Sequence, residues 1–139
     1  WEVSHIGGDR FAANMVVLPQ GLYYGRLDPA AAIAAAGAHL AGELDLEHLR
    51  GRSSQPMSVQ AAEIHLRRQL GVTREDAVVL TGRATEGELT TATFAVGGGS
   101  HDVVVRTVRD PGSATRLTCK AQRDSPVPAH ELIGVIRRA

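Results

Sequence analysis

Two short apolar runs, residues 14–18 and 22–27, flank a Pro-Gln-Gly segment at residues 19–21. Runs of this length, rich in Val, Leu and Tyr and separated by turn residues, are typical of paired strands. The pattern therefore predicts a β-hairpin near the start of the chain.

A capped helix is predicted after the hairpin. Asp28 suits the N-cap, Pro29 suits the first helical position, and Gly42 follows the last turn of an alanine-rich run. Residues 43–55 carry three leucines among charged residues and predict a short helix followed by a polar connector. A second, partly amphipathic helix is predicted over residues 56–70.

From residue 77 onward the pattern changes to period two with many β-branched residues, which is typical of strands. Four strands are predicted, over residues 77–83, 88–96, 102–109 and 115–121. The short turns between them contain Gly and Pro and favour an antiparallel meander. Residues 130–139 fit either a fifth strand or a terminal helix.

These elements predict an α+β fold. The mixed, polar segment at residues 51–55 is a plausible boundary, so we expect one domain over residues 1–50 and a second over residues 56–139. A chain of 139 residues is long enough to bury a core.

The charge balance argues against nucleic acid and anionic membranes as partners. Fifteen Lys and Arg residues match fifteen Asp and Glu residues, so no net field steers the chain toward a polyanion. No apolar run approaches the roughly 18 to 20 residues of a membrane helix. We expect a soluble, cytoplasmic protein.

Cysteine usage limits the metal chemistry of this chain. Cys119 is its only cysteine, so an intrachain disulfide and a cysteine-rich metal site are both excluded. We expect its thiol to be buried and inert. The chain opens at Trp1, directly before a dense motif, and we therefore expect a fragment of a longer protein or a processed product.

The segment HIGGDR, residues 5–10, carries the candidate chemistry. It places two residue types that bind metals, His5 and Asp9, four positions apart around Gly7 and Gly8. Glycines allow positive φ, and their amides can point at an anionic centre. A plain turn, with Asp9 as its cap or paired with Arg10, explains the same residues.

The order of elements and the run HIGGDRFAANMVVLPQGLYYGRLDP resemble the sucrase/ferredoxin-like family, and RGRSSQP followed by VQAAEIHLRRQLG resembles its downstream region. The resemblance covers most of the chain and is strongest over residues 1–71. It implies the C-terminal half of a thioredoxin-like [2Fe-2S] ferredoxin, a hairpin and a helix, followed by a helix and an antiparallel sheet of four or five strands.

The resemblance also implies a cofactor and its ligands. Two ligands of a [2Fe-2S] cluster would come from a cysteine-bearing segment before this chain, and two from His5 and Asp9, with Gly7 and Gly8 beside the cluster. Some members have histidine at both positions, and here the second is aspartate. The cluster is expected in the intact protein and not in this chain alone.

The implied function is electron transfer or redox-linked binding, with a redox protein or the missing N-terminal half as partner. Arg10 and Arg26 would present positive charge to that partner, and the uncovered strand edges predict a homodimer. The alternative is a metal-free interaction domain without catalytic activity. A hydrolase, the third class, requires a converging triad.

Overall fold

A computed structural model describes residues 11–117 and 121–138 of the chain. In these ranges it is α+β, as the sequence predicts, with two helices and two antiparallel sheets. In chain order the elements are β1 (Asn14–Val17), β2 (Leu22–Gly25), α1 (Pro29–Leu40), β3 (Leu49–Arg52), α2 (Met57–Leu70), β4 (Val78–Glu86), β5 (Leu89–Val96), β6 (Gly99–Arg109) and β7 (Pro128–Arg138). No helix in the described ranges has the length and apolar character needed to cross a membrane.

The predicted hairpin and first helix are confirmed. Strands β1 and β2 pair antiparallel, with Met15 opposite Tyr24. The carboxylate of Asp28 caps α1 by accepting a hydrogen bond from the backbone N–H of Ala31 at 2.8 Å. The inner face of α1, centred on the fully buried Ala35, packs against the hairpin.

The short helix predicted within residues 43–55 is wrong. This segment forms a loop and then β3, which pairs antiparallel with β2 to give the order β1-β2-β3. The leucines at helical spacing instead fill the core from irregular and extended backbone: Leu44 is buried from the loop and Leu49 from the strand. Tertiary packing overrides the local pattern here.

The second sheet has the order β4-β5-β6-β7 and is antiparallel throughout. The strand predicted at residues 115–121 is wrong in its described part, where Thr115 forms only an isolated bridge with Ser125. The fourth strand is β7, so the last stretch of the chain is extended and not helical. Its alternating side chains allow it to pair along ten residues of β6.

Helix α2 contacts both sheets. Val59 and Leu66 lie in the core beneath the four-stranded sheet, with Phe94 of β5 at its centre. Ile64, on another side of the helix, packs against the hairpin core. The predicted division into two domains stays a prediction, and α2 is the element that the two halves share.

A buried arginine holds the end of α2 to the loop that follows. Arg67 is fully buried and its Nε donates to Oε1 of Glu63 at 2.8 Å. Its two terminal nitrogens donate to the carbonyl oxygens of Arg74 at 2.8 Å and Glu75 at 3.0 Å, and more weakly to Val72. The charged guanidinium of Arg67 can be buried because each of its three nitrogens donates to an acceptor.

Glu75 extends this network to the first half of the chain. One of its carboxylate oxygens lies 3.2 Å from a guanidinium nitrogen of Arg52, and the other lies 3.6 Å from Nδ1 of His39. A backbone hydrogen bond makes a further connection, because the N–H of Leu44 donates to the Thr73 carbonyl at 2.8 Å. The two halves are therefore joined by polar contacts as well as by α2.

Tyr24 lies beside this network with its side chain fully buried. Its hydroxyl makes no hydrogen bond among the described residues. Burial, with smaller contributions from the nearby carboxylates of Asp45 and Glu75, raises the pKa of Tyr24 to about 12.

Candidate functional site

The predicted ligand segment itself is not part of the described structure. His5, Gly7, Gly8 and Asp9 all lie before residue 11, where the description of the chain begins. The structure does describe the point at which this segment enters the fold. We call residues 11–13 the anchor. Its first residue, Phe11, comes two residues after Asp9.

Backbone hydrogen bonds hold the anchor in place. The N–H of Arg26 donates to the Phe11 carbonyl, and the N–H of Leu27 donates to the Ala13 carbonyl at 3.1 Å. From the other side, the N–H of Gly25 donates to the His48 carbonyl at 3.0 Å. Residues 11–13 are thus tied to the end of β2, and the chain leaves the candidate segment in a fixed direction.

The anchor also depends on the absence of a side chain at Gly25. A Cβ atom at this position would lie 2.8 Å from Cβ of Phe11 and 2.9 Å from Oδ1 of Asn14. These distances are shorter than real carbon contacts, so Phe11 reaches its position only because residue 25 is glycine.

Two arginines lie over the ring of Phe11. The guanidinium carbon of Arg50, from β3, is 4.8 Å from the ring centroid, and that of Arg26 is 5.6 Å away. Both distances are within the range of cation–π attraction. Two guanidinium groups therefore lie at the point where the described part of the chain begins.

Arg26 occupies this place in an unfavourable backbone conformation. Its φ is +61°, in the left-handed region that residues with a side chain rarely adopt. Glycine would be the expected residue at such a position. Arg26 is thus held in a strained backbone conformation while its guanidinium lies over Phe11.

We expect Gly25→Ala to lower the free energy of unfolding by roughly 1 to 2 kcal/mol, because the new methyl group overpacks against Phe11 and Asn14. Gly37→Ala is the matched control. Gly37 lies within α1 and a Cβ there meets nothing within 4 Å, so the alanine should stabilise by roughly 0.5 to 1 kcal/mol. Urea denaturation of both variants measures the difference, and equal effects would contradict the anchor.

The remaining histidines lie at separate places in the fold. They are His39 on α1, His48 before β3, His65 on α2, His101 on β6 and His130 on β7. Within residues 11–117 and 121–138, no three His, Cys, Asp or Glu side chains are grouped so that they could hold a metal ion. Cys119 and Arg10 lie outside these ranges.

The described residues include one pair of side chains of the kind found in a hydrolase triad. Nδ1 of His48 lies 2.6 Å from a carboxylate oxygen of Asp45, a pair that resembles two members of a triad. A nucleophile is the missing member, because His48 makes no side-chain hydrogen bond to a serine or threonine in the part of the chain that is described.

The donor set of the candidate segment fits part of a cluster site. His5 and Asp9 would supply one imidazole and one carboxylate. Iron in a [2Fe-2S] cluster is usually held by four thiolates, with histidines as the known replacement on one iron. His5 matches that replacement, whereas the carboxylate of Asp9 is a harder donor than thiolate or imidazole, so His5 is the one of the two that fits the usual ligand set.

Sequence reasoning identified Arg26 but missed Phe11 and Arg50. The position of Phe11 directly after the segment was visible, yet nothing in the pattern indicated a partner for its ring. Arg50 was missed because residues 43–55 were interpreted as a helix and a connector, whereas β3 brings this residue beside the hairpin.

Comparison of the chain with models of known protein families, with curated proteins and with solved structures finds no match.

Proposed function

We propose that this chain is the C-terminal part of an electron-transfer protein, in which residues 5–10 supply His5 and Asp9 to a [2Fe-2S] cluster. When bound, such a cluster accepts one electron from a reduced donor protein and passes it to an oxidised acceptor. The chain's own part is to hold the ligand segment, to place charge beside it and to bind the rest of the protein. The proposal assigns it to the cytoplasm.

The anchor at Phe11 is the observation that carries the proposal. Ligands of a metal centre must be held in place by the fold, and segments that do so are fixed by neighbouring hydrogen bonds. Residues 11–13 have these bonds to Arg26 and Leu27, and a glycine that makes room for them. Both candidate ligands lie within six residues of this fixed point.

The order of elements supports the same proposal. A β-hairpin followed directly by a capped helix that packs on it is the arrangement expected for the second half of a thioredoxin-like domain. In the described structure β1 lies at the border of its sheet, so its outer edge is open to a strand from the missing half. A second copy of this chain is the other candidate for that edge.

The charge near the anchor supports a redox partner with an acidic surface. Arg26, whose side chain is exposed, lies over Phe11, and complementary charge speeds the encounter of electron-transfer proteins. A metal-free interaction domain would also use this surface, and it is the second candidate because Asp9 is not a usual cluster ligand and Cys119 is the only cysteine of the sequence.

Reconstitution with iron and sulfide tests the proposal. We would treat the chain anaerobically in the presence of glutathione, whose thiolate can occupy the positions of the missing cysteines. The expected result is visible charge-transfer absorption with about two irons per cluster. His5→Ala and Asp9→Ala should each abolish it.

His65→Ala is the matched control, because His65 lies on α2 and, among the described residues, its side chain hydrogen-bonds only to the backbone carbonyl of His130, at 3.5 Å. It should reconstitute as the parent chain does. A chain that stays free of iron, or a His5→Ala variant that binds as much iron as the parent, would overturn the electron-transfer proposal and favour the metal-free domain.

A further inference from the structure

The four-stranded sheet has one face covered by α2 and one open face. Helix α2 packs against the face that carries Phe94, Val103 and Val105. Side chains alternate between the two faces along each strand, and residues that pair across strands share a face. The open face therefore carries the alternate residues, such as Thr93 and Val104, and in the described structure all of them are half-buried or exposed.

The middle of the open face is made of small and apolar residues. Two rows of paired side chains cross the four strands here, and Asp102 is the one charged residue in these rows of the described sheet. The other members of the rows include Ala84, Thr91, Thr93, Val104, Gly134 and Ile136. A sheet face that is left to solvent usually carries polar residues. This composition instead suits contact with another apolar surface.

Asp102 brings no unpaired charge to this surface. Its Oδ1 accepts a hydrogen bond from Oγ1 of Thr93 at 2.7 Å, and its Oδ2 accepts one from Nε of Arg138 at 2.7 Å. These hydrogen bonds, first that of Thr93 and then that of Arg138, lower the pKa of Asp102. Its carboxylate is thus ionised and neutralised by Arg138. The side chain of Arg138 is still 57% exposed, so it can also meet the carboxylate of a partner.

A projecting side chain and a gap lie next to each other on the open face of β7. Ile136 is 59% exposed, and a Cβ atom at Gly134, two residues earlier on the same face, would meet nothing within 4 Å. A second copy whose β7 runs in the opposite direction places its Ile136 over this gap and receives the first copy's Ile136 over its own. Two packed sheets fill the space between them by interdigitation of this kind.

The charges at the ends of the open face select one of the two symmetric ways to stack two copies. Arg138 lies at one end, and Glu86, Arg106 and Glu131 lie at the other, on β4, β6 and β7. When the strands of the two copies run in opposite directions, Arg138 of each copy lies over Glu131 of the other. When they run in the same direction, Glu86 lies over Glu131 and the like charges repel each other.

We infer that two copies of this chain bind each other through their open faces, with the strands of one running opposite to those of the other. Four strands about 4.8 Å apart, with the eight residues of β5 at about 3.4 Å each, give a footprint of roughly 500 Å². The two copies together cover roughly 1,000 Å², which is the lower limit for a specific interface, so the dimer is weak and reversible.

Sedimentation equilibrium of the whole chain tests the inference. We expect a monomer–dimer equilibrium with a Kd below about 1 mM. Ile136→Lys should weaken it by roughly tenfold or more, because each dimer would enclose two unpaired ammonium groups. Circular dichroism should show an intact fold, since the side chain of Ile136 is exposed. The matched control is Ile33→Lys, which changes an exposed isoleucine of α1 outside the sheet and should dimerise as the parent chain does.

Glu131→Arg tests the direction of the strands. It should weaken the dimer by roughly tenfold, because the new guanidinium meets Arg138 of the other copy. With the strands in the same direction it would meet Glu86 and strengthen the dimer. A chain that stays monomeric up to about 1 mM, a dimer that Ile136→Lys leaves unchanged, or one that Glu131→Arg strengthens would each overturn the inference.

Discussion

Arg67→Met is expected to lower the free energy of unfolding by about 3 to 5 kcal/mol, the usual cost of removing one partner of a buried ion pair. Methionine fills similar space, but it leaves the Glu63 carboxylate and the carbonyls of Arg74 and Glu75 without their donor. Urea denaturation followed by circular dichroism measures the change. A loss this large takes up much of the stability of an ordinary domain.

Arg68→Met provides the control on the same helix. Arg68 is exposed and donates only to the Leu46 carbonyl, at 2.6 and 3.3 Å, so its loss should cost about 1 kcal/mol or less. The double variant Glu63→Leu with Arg67→Met should be more stable than Arg67→Met alone, because it leaves no buried carboxylate. Similar costs for the two single variants would contradict the buried network.

The second large effect is expected at alkaline pH and comes from Tyr24. Its pKa is raised to about 12 in the folded chain, from 10.0. Above pH 10 the unfolded chain therefore loses this proton while the folded chain keeps it. The tyrosine's contribution to stability is complete below pH 10 and falls as the pH rises toward 12, by up to roughly 3 kcal/mol.

Tyr24→Phe should remove this part of the pH dependence. Measuring the free energy of unfolding at several pH values between 9 and about 12 for parent and variant isolates the contribution, because all other groups titrate in both. Tyr23→Phe is the matched control, because Tyr23 is the next tyrosine in the chain and its side chain is only half-buried. If Tyr24→Phe and the parent lose stability in parallel, the hydroxyl is not buried as described.

Much of the fold could be predicted because local signals agreed with the final packing. Asp28 and Pro29 marked the start of α1, and the structure places the cap and the first turn there. Gly97 and Gly98 marked the turn between two long strands for the same reason, since positive φ favours glycine. In these places residue type and backbone conformation are directly coupled.

The prediction failed where distant contacts decide the structure. Leu46 and Leu49 lie three residues apart, a spacing that suits a helix, yet their packing depends on the hairpin and on α1, which the local pattern does not contain. Strand β7 pairs with β6 although many residues separate the two strands in the sequence. Residues 115–121 are closer to β6 in the sequence, and for this reason they were predicted as the next strand.

The site stays a prediction. Residue type, spacing and the family resemblance make His5 and Asp9 candidates, and the hydrogen bonds at Phe11 could not be inferred from any of these. The meeting of Arg26 with Arg50 depends on β3 lying beside β2, which the sequence did not indicate.

The central claim is that His5 is an iron ligand, and pulsed EPR of the reconstituted, reduced chain tests it most directly. Protein labelled with ¹⁵N-histidine and reduced by one electron per cluster should show strong coupling to one imidazole nitrogen. His39→Ala should retain this coupling, and the unlabelled chain should show the corresponding ¹⁴N signal. A reduced cluster with no imidazole coupling, or a chain that forms no cluster, would contradict the account.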